Sequence, residues 1–198
     1  MRSPATSERR MSTEAPVDAI EYRRLVSSEL ALIADIDRTE HIDALYVQRG
    51  ARLELRRGDF SAPPWSHDGT GEHSIVGQEA ALAKYVQEGA IALAAFDGKR
   101  LVGIGLVKLH IRPGIAQLAY LHVSHDSRVR GIGGRLSDEM ERIAREAGNT
   151  SMVVSATPSL NTVRFYQRRG FEPMAKPLPE LYALEPVDVH LQKSLGSS

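Results

Sequence analysis

The stretch from residue 118 to residue 136 reads LAYLHVSHDSRVRGIGGRL. It begins as a strand, and after Asp126 it contains three Arg, three Gly and no acidic residue before an amphipathic helical pattern takes over. Glycines let a backbone approach a ligand closely, and the free N–H groups and dipole of a helix's first turn attract negative charge. The stretch therefore predicts a site for an anion such as a diphosphate.

Two other nucleotide-binding motifs do not fit these glycines. A Walker loop has Lys and then Ser or Thr after its last glycine, and no Lys follows here. A dinucleotide-binding fingerprint has a glycine three residues after its second glycine, where this chain has Leu136. For the loop taken alone, a glycine-rich turn with solvated arginines stays an equal alternative to the anion site.

The residues on both sides of this stretch predict an α/β domain. Strand-like segments run from Ile91 to Phe96, from Leu101 to Ile111 and from Ala116 to Val123. The Asp97-Gly98 and Arg112-Pro113-Gly114 turns between them indicate an antiparallel meander. Downstream the pattern predicts a helix from Gly131 to Ala147, a strand from Ser151 to Ser155, a helix from about Ser159 to Arg169, and late strands near Phe171 and from Val187 to Gln192.

The N-terminal half predicts a strand and a helix followed by an insertion. Alternation from Ile20 to Val26 indicates the strand, and Ser27 or Ser28 is a candidate cap for a helix through Ile36. Alternating apolar residues around a central Arg-Gly pair predict a β-hairpin over 42–57, and Pro and Gly over 58–77 predict a long loop. A helix from Gln78 to Glu88 then ends at Gly89.

Composition bounds the class of protein. The 198 residues carry 25 Lys plus Arg against 25 Asp plus Glu, so no overall charge favours nucleic acid or an anionic membrane as partner. The absence of Cys excludes disulfides, thiolate metal sites and a Cys nucleophile. No apolar stretch approaches the roughly 20 residues of a membrane span. We expect a soluble, cytoplasmic single domain over 19–198, after a disordered tail over 1–18 that is not a signal peptide.

Two spaced motifs contain the strongest functional signal. The first occupies residues 128–133 with the pattern Arg-x-x-Gly-x-Gly, and the second occupies 161–171 with the pattern Asn-x-x-x-x-Tyr-x-x-x-Gly-Phe. The first resembles the coenzyme A diphosphate motif of the GCN5-related N-acetyltransferase (GNAT) family, and the second resembles a later segment of that family. The resemblance covers about 90–171 well and leaves the insertion at about 42–77 without a counterpart.

The resemblance implies the GNAT fold, a mixed and mostly antiparallel twisted sheet flanked by helices and splayed at the coenzyme A cleft. Acetyl-CoA is the implied cosubstrate, with its pantetheine arm hydrogen-bonded to the backbone of Leu121 and Val123. The backbone N–H groups implied for the diphosphate belong to Val129, Arg130, Gly131, Ile132, Gly133 and Gly134. Phosphate contacts are expected from side chains among Arg128, Arg130 and Arg135, with solvent as the alternative for each.

The same resemblance implies roles in catalysis. Tyr166 stands at the family's general-acid position, from which a phenol can protonate the leaving thiolate. The backbone N–H of Val123 is the implied oxyanion donor. The reaction implied is acetyl transfer to a primary amine of a small molecule or peptide, by direct attack in a ternary complex. A core aromatic is the alternative for Tyr166, and a helix cap is the alternative to a coenzyme contact for Asn161.

The general base is not identified by the sequence. Some family members have Glu where this chain has Gln117. His110 and His122 are base candidates because imidazole titrates near neutral pH. A water chain or a backbone carbonyl is the alternative to both histidines.

The long loop offers an acceptor contact and no metal site. Trp65 is either an acceptor contact or a staple that packs on the domain. The loop's potential ligands lack a rigid pair, so no metal is expected; they are His67, Asp68, Glu72 and His73. A non-catalytic acyl-CoA-binding or sensor module on the same fold is the alternative function, and a nucleotide-binding domain is the third. The sequence does not identify the acceptor amine. A homodimer and a translation start at either Met1 or Met11 are left open.

Overall fold

The computed structural model describes residues 20–196, in which a seven-stranded sheet is flanked by helices. The strands are β1 (Glu21–Arg24), β2 (Glu40–Arg49), β3 (Arg52–Ala62), β4 (Ile91–Asp97), β5 (Arg100–Arg112), β6 (Ile115–Val123), β7 (Ser151–Ala156), β8 (Glu172–Pro173) and β9 (Val189–Ser194). The α-helices are α1 (Ile75–Gln87), α2 (Ile132–Glu146), α3 (Leu160–Arg168) and α4 (Pro179–Leu184), and 3-10 helices span Ser27–Asp35 and His125–Arg130. The strand order is β1-β4-β5-β6-β7-β9-β8, while β2 and β3 form a separate hairpin.

Helices cover both faces of the large sheet. The first 3-10 helix and α1 pack over one hydrophobic cluster, and α2 packs over the other. Glycines in β5 bring α2 close, because a Cβ at Gly103 would lie 2.7 Å from Ile132 Cγ2 and one at Gly105 would lie 2.7 Å from Met140 Cε. This contact places the first turn of α2 against the sheet beside the end of β6.

The sheet opens between β6 and β7. These strands are the sheet's parallel pair, and they are in register only from Ile115–Gln117 against Ser151–Val153. Beyond Gln117 the two strands separate, and β6 has a bulge where its pairing with β5 shifts between Leu106 and Val107. The result is a gap with one wall made by the second half of β6.

The β2–β3 hairpin spans this end of the sheet. The segment before β2 contacts the second 3-10 helix, since the His125 N–H donates to the Asp37 carbonyl at 2.8 Å. Further along, Leu45 bridges to Ser159, and the Tyr46 N–H donates to the Pro158 carbonyl at 2.8 Å. The insertion therefore joins the end of β6 to the start of α3.

The structure confirms the predicted meander, the hairpin, and the helices that became α2 and α3. The hairpin is longer than predicted, because β3 continues to Ala62 through pairing with β2 although its side chains are mostly exposed. The helix predicted from Gln78 begins at Ile75, where the Ser74 side chain accepts from the Gly77 N–H. The predicted tail, residues 1–18, lies outside the described residues.

Three local predictions were wrong. The first helix is a 3-10 helix preceded by Val26, whose N–H donates to the Glu29 carboxylate at 3.1 Å, so neither Ser27 nor Ser28 caps it. Residues 125–130 form a 3-10 helix where a loop was expected. The short helix α4 was missed.

Candidate active site

The predicted anion loop lies between the end of β6 and the start of α2. Gly131 takes a left-handed conformation, with φ of 75°, between the second 3-10 helix and α2. The Arg135 N–H donates to the Gly131 carbonyl at 3.1 Å, so the N–H groups of residues 132–134 precede the repeating helix bonds. These groups and the helix dipole direct partial positive charge out of the helix start.

The loop glycines have different structural roles. A Cβ on Gly131 would meet no atom within 4 Å, so the space in front of it is open, and its φ is one that other residues rarely adopt. A Cβ on Gly133 would lie 3.4 Å from Val123 and 3.6 Å from Phe165, which is ordinary contact. The backbone at Gly131 therefore favours glycine, whereas a Cβ at Gly133 would fit between α2, β6 and α3 without displacing a neighbour.

Each of the three arginines between residues 128 and 135 has a protein partner. Arg128 donates to the Val123 and Arg38 carbonyls, both at 3.3 Å, and pairs with Glu40. Arg130 pairs with Asp97, and the Arg135 guanidinium lies 4.2 Å from the centroid of the Tyr22 ring. The backbone N–H groups are therefore better placed than these side chains to meet the predicted anion, and phosphate contacts by either set stay a prediction.

Backbone donors of β6 face the gap. The Ser124 N–H donates to the Val102 carbonyl of β5 at 2.9 Å. Because successive N–H groups along a strand point to opposite sides, those of Val123 and Leu121 point away from β5 and into the gap. The expected pantetheine and oxyanion donors therefore have the orientation that their predicted roles need.

The second motif begins α3 on the other side of the gap. Ser159 caps this helix by accepting from the Thr162 N–H at 3.2 Å, so the cap is not Asn161. The Asn161 side chain instead donates to Glu40 Oε1 at 3.1 Å, and Glu40 Oε2 lies 3.3 Å from Arg128 Nη1. One carboxylate from the hairpin thus links the first residues of both motifs. The sequence contained no signal for this residue.

Tyr166 lies on the buried side of α3. Its ring makes edge contacts with Phe165 and Phe171, at centroid distances of 5.1 and 5.4 Å. Burial raises the pKa of its hydroxyl, an effect that the Arg169 charge opposes and the Asp188 charge reinforces. The phenol therefore keeps its proton at neutral pH, as a general acid must. Its catalytic role stays a prediction.

A family model described as an acetyltransferase (GNAT) domain matches residues 64–180. The chain belongs to the GNAT family. No curated protein matches its sequence. The GNAT match extends upstream of the two motifs, through α1 and the meander, and ends within α4.

Solved structures share the GNAT fold with this chain. Nourseothricin acetyltransferase is 15% identical, with a TM-score of 0.66, over 89% of this chain and 99% of that one. A candidate streptothricin acetyltransferase of Bacillus anthracis str. Ames, in complex with acetyl-CoA, is 15% identical, with a TM-score of 0.63 over 88% and 96%. The PaiA N-acetyltransferase of Thermoplasma acidophilum, in complex with coenzyme A, is 17% identical, with a TM-score of 0.57 over 89% and 99%. These likenesses establish a mixed, mostly antiparallel sheet flanked by helices.

The cleft has the features that this coenzyme requires of a GNAT protein. The open space at Gly131 beside consecutive N–H groups suits a diphosphate. The gap-facing N–H groups of Leu121 and Val123 suit the carbonyl groups of a pantetheine arm. The predicted coenzyme-binding backbone thus lies in one continuous segment from β6 to the start of α2, and its contacts with the coenzyme stay a prediction.

The two histidine candidates lie at opposite ends of the β5–β6 pair. His110 is exposed near the β5–β6 turn, has a φ of 50°, and donates its N–H to Asn149 at 3.1 Å. The structure does not bring it to the gap. His122 lies on β6 next to Val123, and burial, together with the nearby Arg38 and Arg128 charges, lowers its pKa to about 4. Its imidazole is therefore neutral and weakly basic at physiological pH.

Trp65 is buried beside His122. The two rings lie 5.4 Å apart, the Arg38 guanidinium lies 4.3 Å from the centroid of the Trp65 ring, and Arg38 also contacts His73 at 3.2 Å. Pro64, Trp65 and the chain around Asp35 and Asp37 line a cavity of about 210 Å³. Trp65 thus both packs on the domain and borders an open space, so its acceptor role stays a prediction.

Polar residues that the sequence did not single out lie where β7 and β9 meet. Ser155 Oγ is 3.2 Å from His190 Nδ1, and His190 Nε2 is 3.1 Å from the Glu185 carbonyl. Because a carbonyl only accepts, Nε2 holds the proton and Nδ1 accepts from Ser155. Burial, with a smaller contribution from Glu185, raises the pKa of the nearby Asp188 carboxyl to about 7. The sequence signal that could have pointed to Asp188 is an acidic residue directly before a late strand.

The sequence predicts neither a metal site nor a membrane-spanning segment, and the structure bears on both points for residues 20–196. Between residues 20 and 196, no group of three or more His, Asp or Glu side chains is arranged to hold a metal ion. The helices of that same region are too short or too polar to cross a bilayer.

Proposed function

We propose that the protein transfers an acetyl group from acetyl-CoA to a primary amine of a small molecule or peptide, by direct attack in a ternary complex. The observation that supports this most is the open gap beyond Gln117, where the N–H groups of Leu121 and Val123 lead to the start of α2. A gap lined by donors and ending at a helix N-terminus matches an extended ligand whose far end is an anion.

Different residues around the gap have different roles in the proposed reaction. When bound, acetyl-CoA supplies an acetyl thioester and a thiolate leaving group. The Val123 N–H donates to the oxygen on which negative charge develops. Tyr166 holds the proton that the sulfur needs, because burial keeps its phenol protonated. The amine enters from the side formed by the insertion, where Trp65 and His122 lie.

Release of free thiol from acetyl-CoA tests this function. The acceptors are polyamines, amino acids, aminoglycosides, a streptothricin-type antibiotic and peptides with a free N-terminus. The antibiotic is included because two proteins of the same fold are named for such substrates. Amine-dependent thiol release, with the acetylated product confirmed by mass spectrometry, supports the proposal.

A non-catalytic acyl-CoA sensor is the second candidate, favoured by the buried Gln117 at the position where some relatives have an acid. Tight acetyl-CoA binding measured by calorimetry, with no acceptor modified by the protein, would establish the sensor and reject the enzyme.

A further inference from the structure

The backbone of Arg38 is docked at the end of β6, where the gap begins. The Asp37 N–H donates to Ser124 Oγ at 3.0 Å. Arg128 donates from Nη2 to the Arg38 carbonyl and from Nε to the Val123 carbonyl, both at 3.3 Å. Because the C=O and the N–H of one strand residue point to the same side, the Val123 carbonyl faces the gap. One guanidinium therefore joins the backbone of Arg38 to the gap-facing side of Val123.

The Arg38 side chain lies over an aromatic cluster on the proposed acceptor side. Its guanidinium carbon is 4.3 Å from the centroid of the Trp65 ring, and that ring lies edge-on to His122 at 5.4 Å. Tyr120, two residues before His122 on the same face of β6, lies 4.7 Å from it. Trp65 is buried, so packing fixes the ring on which the guanidinium lies. The positive charge of Arg38 is thus held beside β6 in a defined position.

Arg38 is the one partly buried arginine among residues 20–196 that forms no salt bridge. The three other partly buried arginines there each pair with a carboxylate, Arg23 with Glu29, Arg145 with Glu141 and Arg169 with Asp138. Burial lowers the pKa of Arg38, but a guanidinium stays charged at neutral pH. A shielded charge without a counter-ion is costly, and such groups concentrate at functional sites.

The donors of Arg38 that remain available form one edge of its guanidinium. Nη1 lies 3.2 Å from His73 Nδ1, whereas Nε and Nη2 hydrogen-bond to no group in the described part of the chain. Arg112 uses this same edge to bind Glu180, from Nε to Oε1 at 2.8 Å and from Nη2 to Oε2 at 2.7 Å. Two parallel donors match the two oxygens of a carboxylate. The available edge of Arg38 therefore fits a carboxylate.

The acidic side chains around Arg38 have other partners. Asp37 Oδ1 accepts from the Thr39 N–H at 2.9 Å. Glu72 Oε1 lies 3.5 Å from His73 Nε2, and Glu40 pairs with Arg128. One guanidinium balances one negative charge, which favours a carboxylate over a phosphate group with nearly two. The same charge repels polyamines and aminoglycosides.

We propose that Arg38 binds a carboxylate of the acceptor, so that the acceptor is an amino acid or a peptide with a carboxylate near its amine. This inference rests on the proposed acetyl transfer. The carboxylate binds the available edge of Arg38, and the amine of the same molecule then approaches the thioester beside Val123. Arg38 determines specificity through binding and exchanges no proton with the acceptor.

The test compares pairs of acceptors that differ only in the carboxylate. Amino acids are compared with their carboxamides, and peptides with Asp or Glu in second position are compared with the Asn or Gln counterparts. These two sets distinguish a free amino acid from an acidic peptide. The variants are Arg38→Gln and Arg38→Lys, with Arg56→Gln on the exposed strand β3 as the control. Thiol release gives kcat and KM, calorimetry gives acetyl-CoA affinity, and Tm reports folding.

The wild type should have a kcat/KM at least about ten-fold higher for the carboxylate than for the amide of a pair. Arg38→Gln should raise KM for the carboxylate at least about ten-fold and remove this preference, while acetyl-CoA affinity stays within about two-fold. Arg38→Lys should keep part of the preference, and Arg56→Gln should match the wild type. The wild-type comparison needs no variant, so it tests the carboxylate whether or not Arg38→Gln folds.

Three results would overturn the inference and leave the acetyl transfer standing. In the first, an active wild type acetylates amides or polyamines as well as it does carboxylates. In the second, Arg38→Gln retains the wild-type preference. In the third, Arg38→Gln loses activity equally toward both members of a pair, which indicates a structural role. A wild type that binds acetyl-CoA but acetylates nothing overturns the transfer, and the inference with it.

Discussion

Asp188→Asn should make the protein more stable at alkaline pH, which tests the Asp188 environment without any enzyme assay. Burial raises the pKa of this carboxyl from 3.8 to about 7. Because the pKa is raised in the folded state, the buried carboxyl costs the wild type no stability below the pKa of the unfolded state. The free energy of unfolding then falls as the pH rises through the pKa of the folded state. The difference of about 3 pH units corresponds to about 4 kcal/mol at 1.36 kcal/mol per unit.

This loss falls between about pH 4 and about pH 8, and the neutral amide avoids it. For a chain of this size, each kcal/mol shifts Tm by about 2–4 °C, so the Tm of Asp188→Asn relative to wild type should rise by about 10 °C across that window. Differential scanning fluorimetry from pH 4 to pH 8 measures this Tm difference, and Asp59→Asn, on the exposed strand β3, is the control whose Tm difference should not change with pH. A Tm difference that does not change with pH would show that Asp188 is not a shielded, unpartnered carboxylate.

Three further variants test the coenzyme side. Gly131→Val should weaken acetyl-CoA binding at least about ten-fold. A left-handed conformation costs a branched residue about 1–2 kcal/mol, and the new side chain fills the open space. Unchanged affinity in calorimetry would show that the diphosphate does not bind at this loop. Tyr166→Phe should lower kcat by about 10²-fold with coenzyme affinity within a few-fold, and full turnover would exclude Tyr166 as the acid. Glu40→Gln should tighten acetyl-CoA binding by a few-fold, because it removes a negative charge that contacts both motifs, and weaker binding would show instead that Glu40 positions Arg128 and Asn161.

The elements that sequence patterns predicted are those whose signals are local. The stripe of α2 and the alternation of β4 to β6 reflect burial against one face, and a single window contains the whole pattern. The anion loop is local as well, because Gly131 and the N–H groups after it belong to one short segment. The predicted hairpin ended too early in β3 because the second half of this strand is held by pairing with β2 and not by burial, and pairing leaves no local pattern in the sequence.

Side-chain partners were beyond local patterns. Arg128 looked free for a phosphate, but its guanidinium contacts Glu40 and the Arg38 carbonyl, which are distant in sequence. Asn161 looked able to cap a helix, but Ser159 lies at the capping position and leaves Asn161 to reach Glu40. A residue-type signal cannot rank such partners, because their distances depend on how the whole chain folds.

This contrast extends to the two halves of the cleft. The coenzyme half, as predicted, uses backbone N–H groups from one continuous segment, β6 to α2, so a chain that keeps this segment keeps those donors. The proposed acceptor side is assembled from separate segments, with Arg38 before the hairpin, Trp65 after it and His122 on β6. A change in any one of those segments alters the proposed acceptor surface without moving Gly131. The acceptor surface can therefore change while the predicted coenzyme-binding backbone is retained, which is why two short motifs identify the family of this chain and say little about its acceptor.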